Sequence, residues 1–134
     1  AVLGLEQLKR LDYNCDKRAD NFGTWVDHLD SSKFFTDFHQ NGNSNFALPL
    51  ITLKKDLELF EKCCILLQDK NVEYRVGTAG GGNQARQPYL DGYKFIEHDL
   101  SNVDHIHDFG LYIGNHPELV ETDIVKLCER LNNL

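Results

Sequence analysis

The sequence predicts an α+β fold, a small sheet of about three strands covered by helices. Three observations point there. Apolar residues recur at steps of three and four over 1–29, 57–67 and 120–131, the spacing of amphipathic helices. Short segments at 46–53, 72–76 and 109–113 carry apolar runs or alternation of the β type. Turn-forming clusters separate the two kinds, and no internal repeat appears. With 134 residues, 41% of them hydrophobic, the chain can bury one core but is short for two domains, so 1–134 is expected to be a single small domain.

The first element is the longest. Ala1, Leu5, Leu8, Leu11, Cys15, Ala19, Phe22, Val26 and Leu29 form one stripe, and Glu6, Lys9, Lys17 and Asp20 fill the other face. A helix over 1–30 runs roughly 40 Å at 1.5 Å per residue, a length suited to connecting domains. Gly23 is its weak point, at about 1 kcal/mol against Ala, and marks where it would break. Trp25 is expected to pack. Gln40-Asn41-Gly42-Asn43-Ser44-Asn45 is a polar loop, and the sheet with its helices occupies 46–134.

Pro49 lies within the strand at 46–53. Proline cannot donate to a ladder, so that strand belongs at an edge or a bulge. Leu57, Phe60, Cys64 and Leu67 mark the second helix, with Asp56 suited to its start and Asn71 to a left-handed stop. Val72, Tyr74 and Val76 alternate with Glu73 and Arg75, giving a short strand with one polar face. The stretch 77–88 has four glycines and no periodicity, and is a loop. One helical turn at 101–107 capped by Ser101, a strand at 109–113 and a last helix opened by Pro117 complete the chain. That helix carries the stripe Val120, Ile124, Leu127 and Leu131.

Composition removes several function classes. The chain has 14 Lys and Arg against 21 Asp and Glu, a formal net charge of −7. General binding to nucleic acid or to anionic lipid needs the opposite balance. No apolar run approaches the ~20 residues of a membrane span, and no signal-peptide pattern opens the chain. The four cysteines, Cys15, Cys63, Cys64 and Cys128, include no C-x-x-C pair. Cys15, Cys64 and Cys128 fall on apolar stripes, as reduced thiols in a cytoplasmic protein would. The sequence contains no Met and opens on Ala1 in helical periodicity, so it is expected to be part of a longer protein or a trimmed one.

The stretch Gly77-Thr78-Ala79-Gly80-Gly81-Gly82-Asn83 is the strongest chemical feature. It lacks both the Lys-Ser/Thr of a phosphate loop and the G-x-G-x-x-G spacing, so a plain surface turn competes with an anion site. Its flanks favour the anion site. Arg75 and Arg86 stand on either side with Asn83, Gln84 and Gln87 nearby, and guanidiniums bind diphosphate oxygens bidentately. His98, His105, His107 and His116 cluster late with Asp99, Asp104 and Asp108. His105-x-His107 would share one face of a strand, but no closed ligand set can be named, so no metal is expected. Tyr89, Tyr93 and Tyr112 suit either stacking on a base or sugar or half-buried packing. No catalytic constellation is complete.

Three segments resemble one family. Gly4-Leu5-Glu6-Gln7-Leu8-Lys9-Arg10-Leu11-Asp12, followed by Lys17-Arg18 and Asn21, resembles the helix joining the large and small domains of the DegT/DnrJ/EryC1/StrS sugar aminotransferases. These are pyridoxal-phosphate enzymes of the aspartate-aminotransferase fold. Arg75 through Gly82-Asn83-Gln84-Ala85-Arg86-Gln87-Pro88-Tyr89 resembles the Arg…Gly-Asn-x-x-Arg/Lys-Gln-Pro-Tyr pattern of the branch of 4-keto-6-deoxysugar 3-dehydratases. Phe109-Gly110-Leu111-Tyr112-Ile113-Gly114-Asn115-His116-Pro117-Glu118-Leu119 is similar to the family's final strand and turn. The run Thr78-Ala79-Gly80-Gly81 departs from the dehydratases, which carry bulkier apolar residues there.

The resemblance implies a C-terminal small domain, with 1–30 as connector and the large cofactor-binding domain absent from this chain. In the family that domain holds the cofactor's Asp and Ser ligands and the reactive Lys or His. No catalytic or cofactor-binding residue is therefore expected in this chain, which alone would be inactive and free of cofactor. In the complete enzyme pyridoxal phosphate is the electron sink for loss of a C3 hydroxyl from a nucleotide-diphosphate sugar. Arg75, Asn83 and Arg86 are the implied substrate contacts, with Gln87 and Tyr89 shaping the wall. A cytoplasmic homodimer serving O-antigen or other lipopolysaccharide synthesis is implied too. The alternatives are an aminotransferase of the same family, with Lys on the absent domain, and a stand-alone, non-catalytic binding module.

Overall fold

The computed structural model describes residues 2–39, 46–77, 82–90, 92–93 and 99–134. Along the chain come helices α1 (Val2–Leu8) and α2 (Leu11–His28), strand β1 (Ala47–Ile51), helix α3 (Leu57–Asp69) and strand β2 (Tyr74–Val76). Two 3-10 turns (Gln84–Arg86 and Pro88–Leu90), helix α4 (Ser101–Phe109), strand β3 (Gly110–Gly114) and helix α5 (Glu121–Asn132) follow. This is the expected α+β fold with a three-stranded sheet. The polar loop expected at 40–45 and the glycines at 80 and 81 lie outside the described residues. The chain divides into two compact units, Ala1–Leu48 with Gly114–Leu134, and Pro49–Ile113.

In the first unit α2 packs against α5. Trp25, Phe34, Cys128 and Leu131 are fully buried, with Phe22, Leu29 and Ile124 beside them in the core. The helix expected over 1–30 is two helices, interrupted at Lys9 and Arg10, and it runs unbroken through Gly23. Burial decides this. Gly23 sits between Phe22 and Trp25, and each such burial is worth about 1.5–3 kcal/mol, more than the glycine costs. None of α1's residues is buried.

Asn21 and Asn115 form a buried polar clamp in the same unit. Asn21 Nδ2 donates to Asn115 Oδ1 at 3.0 Å and to the His116 carbonyl at 3.1 Å, and Asn115 Nδ2 donates to the Arg18 carbonyl at 2.8 Å. The last helix begins at Glu121 rather than at Pro117. His116 and Leu119 close a separate turn first, by a 3.0 Å backbone bond.

The sheet has the order β1-β3-β2. β2 and β3 are antiparallel, with Tyr74 opposite Ile113, Arg75 opposite Tyr112 and Val76 opposite Leu111. Backbone bonds from Thr52 N–H to Phe109 and from Asn115 N–H to Phe46 make β1 and β3 antiparallel as well. Pro49 lies on an edge strand, as a residue without an N–H must. Asp56 caps α3 by accepting from Leu59 N–H at 3.0 Å, and Asn71 ends it at φ 54°. The buried cysteine of α3 is Cys63, and Cys64 is only half-buried, so the inward face is set by Cys63 and Leu67 four residues apart.

α4 is nine residues long where a single turn was expected, and its first N–H is met by Asp99 rather than by a Ser101 cap. That bond to Ser101 holds the Asp99 carboxyl below its ordinary pKa. α4 passes directly into β3 at Gly110, where a Cβ would lie 2.5 Å from the Ile106 carbonyl oxygen. No described helix is long and apolar enough to cross a membrane.

Candidate functional site

The candidate site lies in the second unit, where residues 82–89 meet α4. β2 runs into Gly77, whose φ of +54° suits glycine, and Gly82 N–H donates to the Gly77 carbonyl at 2.7 Å. The two glycines thus form a closed neck. Gly82 cannot carry a side chain, because a Cβ there would run into His107 Nδ1 and lie 2.7 Å from the Gly77 carbonyl carbon.

Asn83, 3% exposed, is bonded at every polar position. Its N–H donates to His107 Nδ1 at 3.0 Å, its Nδ2 donates to Asp104 Oδ1 at 2.8 Å, and its Oδ1 accepts from Ala85 N–H at 2.9 Å. The last bond is an Asx turn that starts the Gln84–Arg86 turn. With the Asn83 N–H pointing at it, His107 Nδ1 takes the acceptor role in this bond. Arg86 Nη1 donates to Asp108 Oδ1 at 2.8 Å, with Asp104 Oδ1 at 3.7 Å.

The five residues singled out from the sequence separate into two groups. Asn83 and Arg86 are brought together on α4, and Gln87 and Tyr89 continue the same stretch. Gln87 is half-buried, while Tyr89 is exposed and donates to Gln84 Oε1 at 3.3 Å. Arg75 is elsewhere, exposed on β2 and bonded to Glu73 Oε1 at 2.7 Å. It lines a small groove with Pro49, Ile51, Val76, Ile106 and Tyr112. The groove has a volume of about 110 Å³, against about 300–1,000 Å³ for a typical small-molecule site. Each guanidinium is answered by a carboxylate, so neither is a bare cation beside the glycine loop.

The histidine expectation needs correcting. His105 and His107 are on a helix, where residues two apart diverge by roughly 200°. His105 Nε2–H donates to the Thr52 carbonyl at 2.7 Å, with its ring 5.3 Å from that of Phe109, while His107 turns to Asn83. Among the described residues no three of His, Cys, Asp and Glu converge on a metal-sized site, and His98 lies outside them. Tyr89 and Tyr93 are 68% and 70% exposed, more than half-buried packing would give. Sequence reasoning missed Asp104, His107 and Asp108 as partners of Asn83 and Arg86. The signal was their i, i+3, i+4 spacing, which becomes legible once 101–109 is taken as a helix.

A pyridoxal-phosphate site needs an anion cradle, a partner for the pyridine nitrogen and room for the ring. The described residues do not fit it: both guanidiniums are carboxylate-paired, and the groove beside Arg75 is mostly apolar and too small.

Solved structures share this fold across nearly the whole chain. GDP-4-keto-6-deoxy-D-mannose-3-dehydratase from E. coli, with bound hydrated PLP, has a TM-score of 0.80 at 23% identity, over 96% of this chain and 33% of its own. A ColD variant carrying H188K and S187N has a TM-score of 0.77 at 25% identity, over 96% and 34%. PseC of Helicobacter pylori, an aminotransferase involved in the biosynthesis of pseudoaminic acid, has a TM-score of 0.75 at 16% identity, over 98% and 36%. The chain spans about a third of the length of these structures. No family model matches the sequence, and none of the curated proteins does.

The chain therefore has the fold of a small domain of the pyridoxal-phosphate aminotransferase type. Its structural neighbours, a 3-dehydratase and sugar aminotransferases, agree with the resemblance of the sequence to the DegT/DnrJ/EryC1/StrS family and its dehydratase branch.

Proposed function

We propose that this chain is the C-terminal small domain of a pyridoxal-phosphate-dependent nucleotide-sugar enzyme, a 4-keto-6-deoxysugar 3-dehydratase of surface-polysaccharide (O-antigen) biosynthesis. One observation carries the reading. The dehydratase-like motif at residues 82–89 opens on a braced turn, Gln84–Arg86, within a fold shared with GDP-4-keto-6-deoxymannose-3-dehydratase at a TM-score of 0.80. In this reading 1–134 is one domain of a cytoplasmic homodimer, 1–30 connects it to a large domain, and that domain brings pyridoxal phosphate and the catalytic residues.

The part left to this chain is to hold the nucleotide-diphosphate sugar. Asp108 and Asp104 engage only Nη1 of Arg86, so Nε and Nη2 present a donor pair to a diphosphate oxygen. Asn83 fixes the turn from which Arg86 projects, and Gln87 and the exposed Tyr89 form the wall, while Arg75, the other implied contact, stands apart on β2 with Glu73. An aminotransferase of the same family is the second reading, favoured by the likeness to PseC over 98% of this chain.

The test is an assay of the intact source protein with a GDP- or CDP-linked 4-keto-6-deoxysugar, its product identified by mass spectrometry. A sugar that has lost its C3 hydroxyl is expected, and a 4-amino sugar would favour the second reading. Arg86→Ala is expected to weaken nucleotide-sugar binding roughly ten- to a hundredfold, the worth of a charge-assisted bond. Unchanged binding in that variant would remove Arg86 from the site.

A further inference from the structure

One face of α4 presents three acceptors to three donors of the segment 83–86. Asp104, His107 and Asp108 stand at i, i+3 and i+4, so they form one row along the helix. Asp104 Oδ1 accepts from Asn83 Nδ2 at 2.8 Å, His107 Nδ1 from Asn83 N–H at 3.0 Å, and Asp108 Oδ1 from Arg86 Nη1 at 2.8 Å. The middle bond differs from its neighbours. An imidazolium carries hydrogens on both nitrogens, so a protonated His107 would set donor against donor at Asn83. The ring also abuts the Gly77–Gly82 neck, leaving Gly82 little room to adjust.

The geometry points to a pH-dependent latch, in which neutral His107 positions the Asn83–Arg86 turn and protonation of its ring releases that turn. The charged groups around it are Asp104 and Asp108 on α4 and Arg86 on the turn, and β2, which leads into the neck, carries Arg75 with its partner Glu73. Among side-chain types, imidazole is the one that ordinarily exchanges its proton between roughly pH 5 and 8. The bond is present while His107 is neutral and is lost as the pH falls through its titration. Asp104, His107 and Asp108 are positioning residues, acting on a ligand only through Arg86. That last step rests on the proposed nucleotide-sugar reading, whereas the latch itself does not.

The experiment is an NMR titration of the 134-residue chain without ligand, following the His107 ring and the hydrogen-exchange protection of the Asn83 amide together. Protection is expected to fall about tenfold or more, one hydrogen bond's share, with its midpoint on the His107 ring titration. Protection that stays constant across that titration overturns the latch. His107→Asn supplies a second readout, because an amide oxygen accepts but does not titrate. Its Asn83 amide is expected to stay protected at every pH, and a break like that of the unaltered chain would overturn the proposal. The unaltered chain decides the question even where the variant fails to fold. Failure of the intact enzyme to bind nucleotide sugars would leave the latch standing, and constant protection would leave the nucleotide-sugar reading standing.

Discussion

Cys128 lies fully buried against α2, its thiol directed at the Trp25 carbonyl at 3.8 Å. Burial pushes its pKa from the ordinary 9.0 up to about 12, so folding holds the neutral thiol. The sign follows from linkage: this contribution is fully present below 9.0 and is lost as the pH rises towards about 12. Urea unfolding between about pH 8 and about pH 11 is expected to show a falling midpoint, with a shallower fall in Cys128→Ala. Equal slopes in the two proteins would contradict the assignment. Single residues with a local task were the most legible in the sequence: Pro49 at an edge, Asp56 as a cap, Asn71 as a left-handed stop. Those whose role depends on a distant partner were not. Cys63 and Cys64 are neighbours on one helix, and only the packing decides which turns inward. Asn83 reads as a ligand contact until Asp104 and His107 are seen to hold it.

Elements were legible where their periodicity was long, and less so at their ends. α2 and α5 follow their apolar stripes, whereas α3 turns Cys63 rather than Cys64 inward, and the first helix is interrupted at Lys9 and Arg10 but not at Gly23, where burial of Phe22 and Trp25 outweighs the propensity cost. α4 was underestimated because its face is polar, and the acceptors that make it useful to the site dilute the apolar pattern by which helices are found. The turn from β3 towards α5 is held by the Asn21–Asn115 clamp, a buried polar pair joining residues 94 apart in sequence. Asn21→Ala removes the donor to Asn115 Oδ1 and to the His116 carbonyl, two hydrogen bonds at once, and is expected to cost about 1–3 kcal/mol. Chemical denaturation measures this, and a loss within about 0.5 kcal/mol, as at an ordinary surface site, would show that the clamp does not hold the turn.

At the scale of the molecule, the candidate site is an incomplete one. Asn83 and Arg86 are braced on α4, yet the groove beside Arg75, at about 110 Å³, is small for a nucleotide sugar, and Arg75 and Arg86 are each paired with a carboxylate. The proposed reading, in which a further domain completes the site, would account for this. α1 agrees, with Val2, Leu3, Leu5 and Leu8 each more than 60% exposed along a helix that buries nothing, an apolar surface suited to a further domain. The site was legible only in part: its arginines and its Gly-Asn turn stand in the sequence, whereas the α4 carboxylates and imidazole that hold Asn83 and Arg86 emerge only in the fold. The most direct test is native mass spectrometry of the protein isolated from its source. A polypeptide of roughly three times 15.4 kDa, retaining a mass that matches pyridoxal or pyridoxamine phosphate, is the expected result. An intact species of 15.4 kDa carrying no cofactor would contradict it and leave a stand-alone binding module.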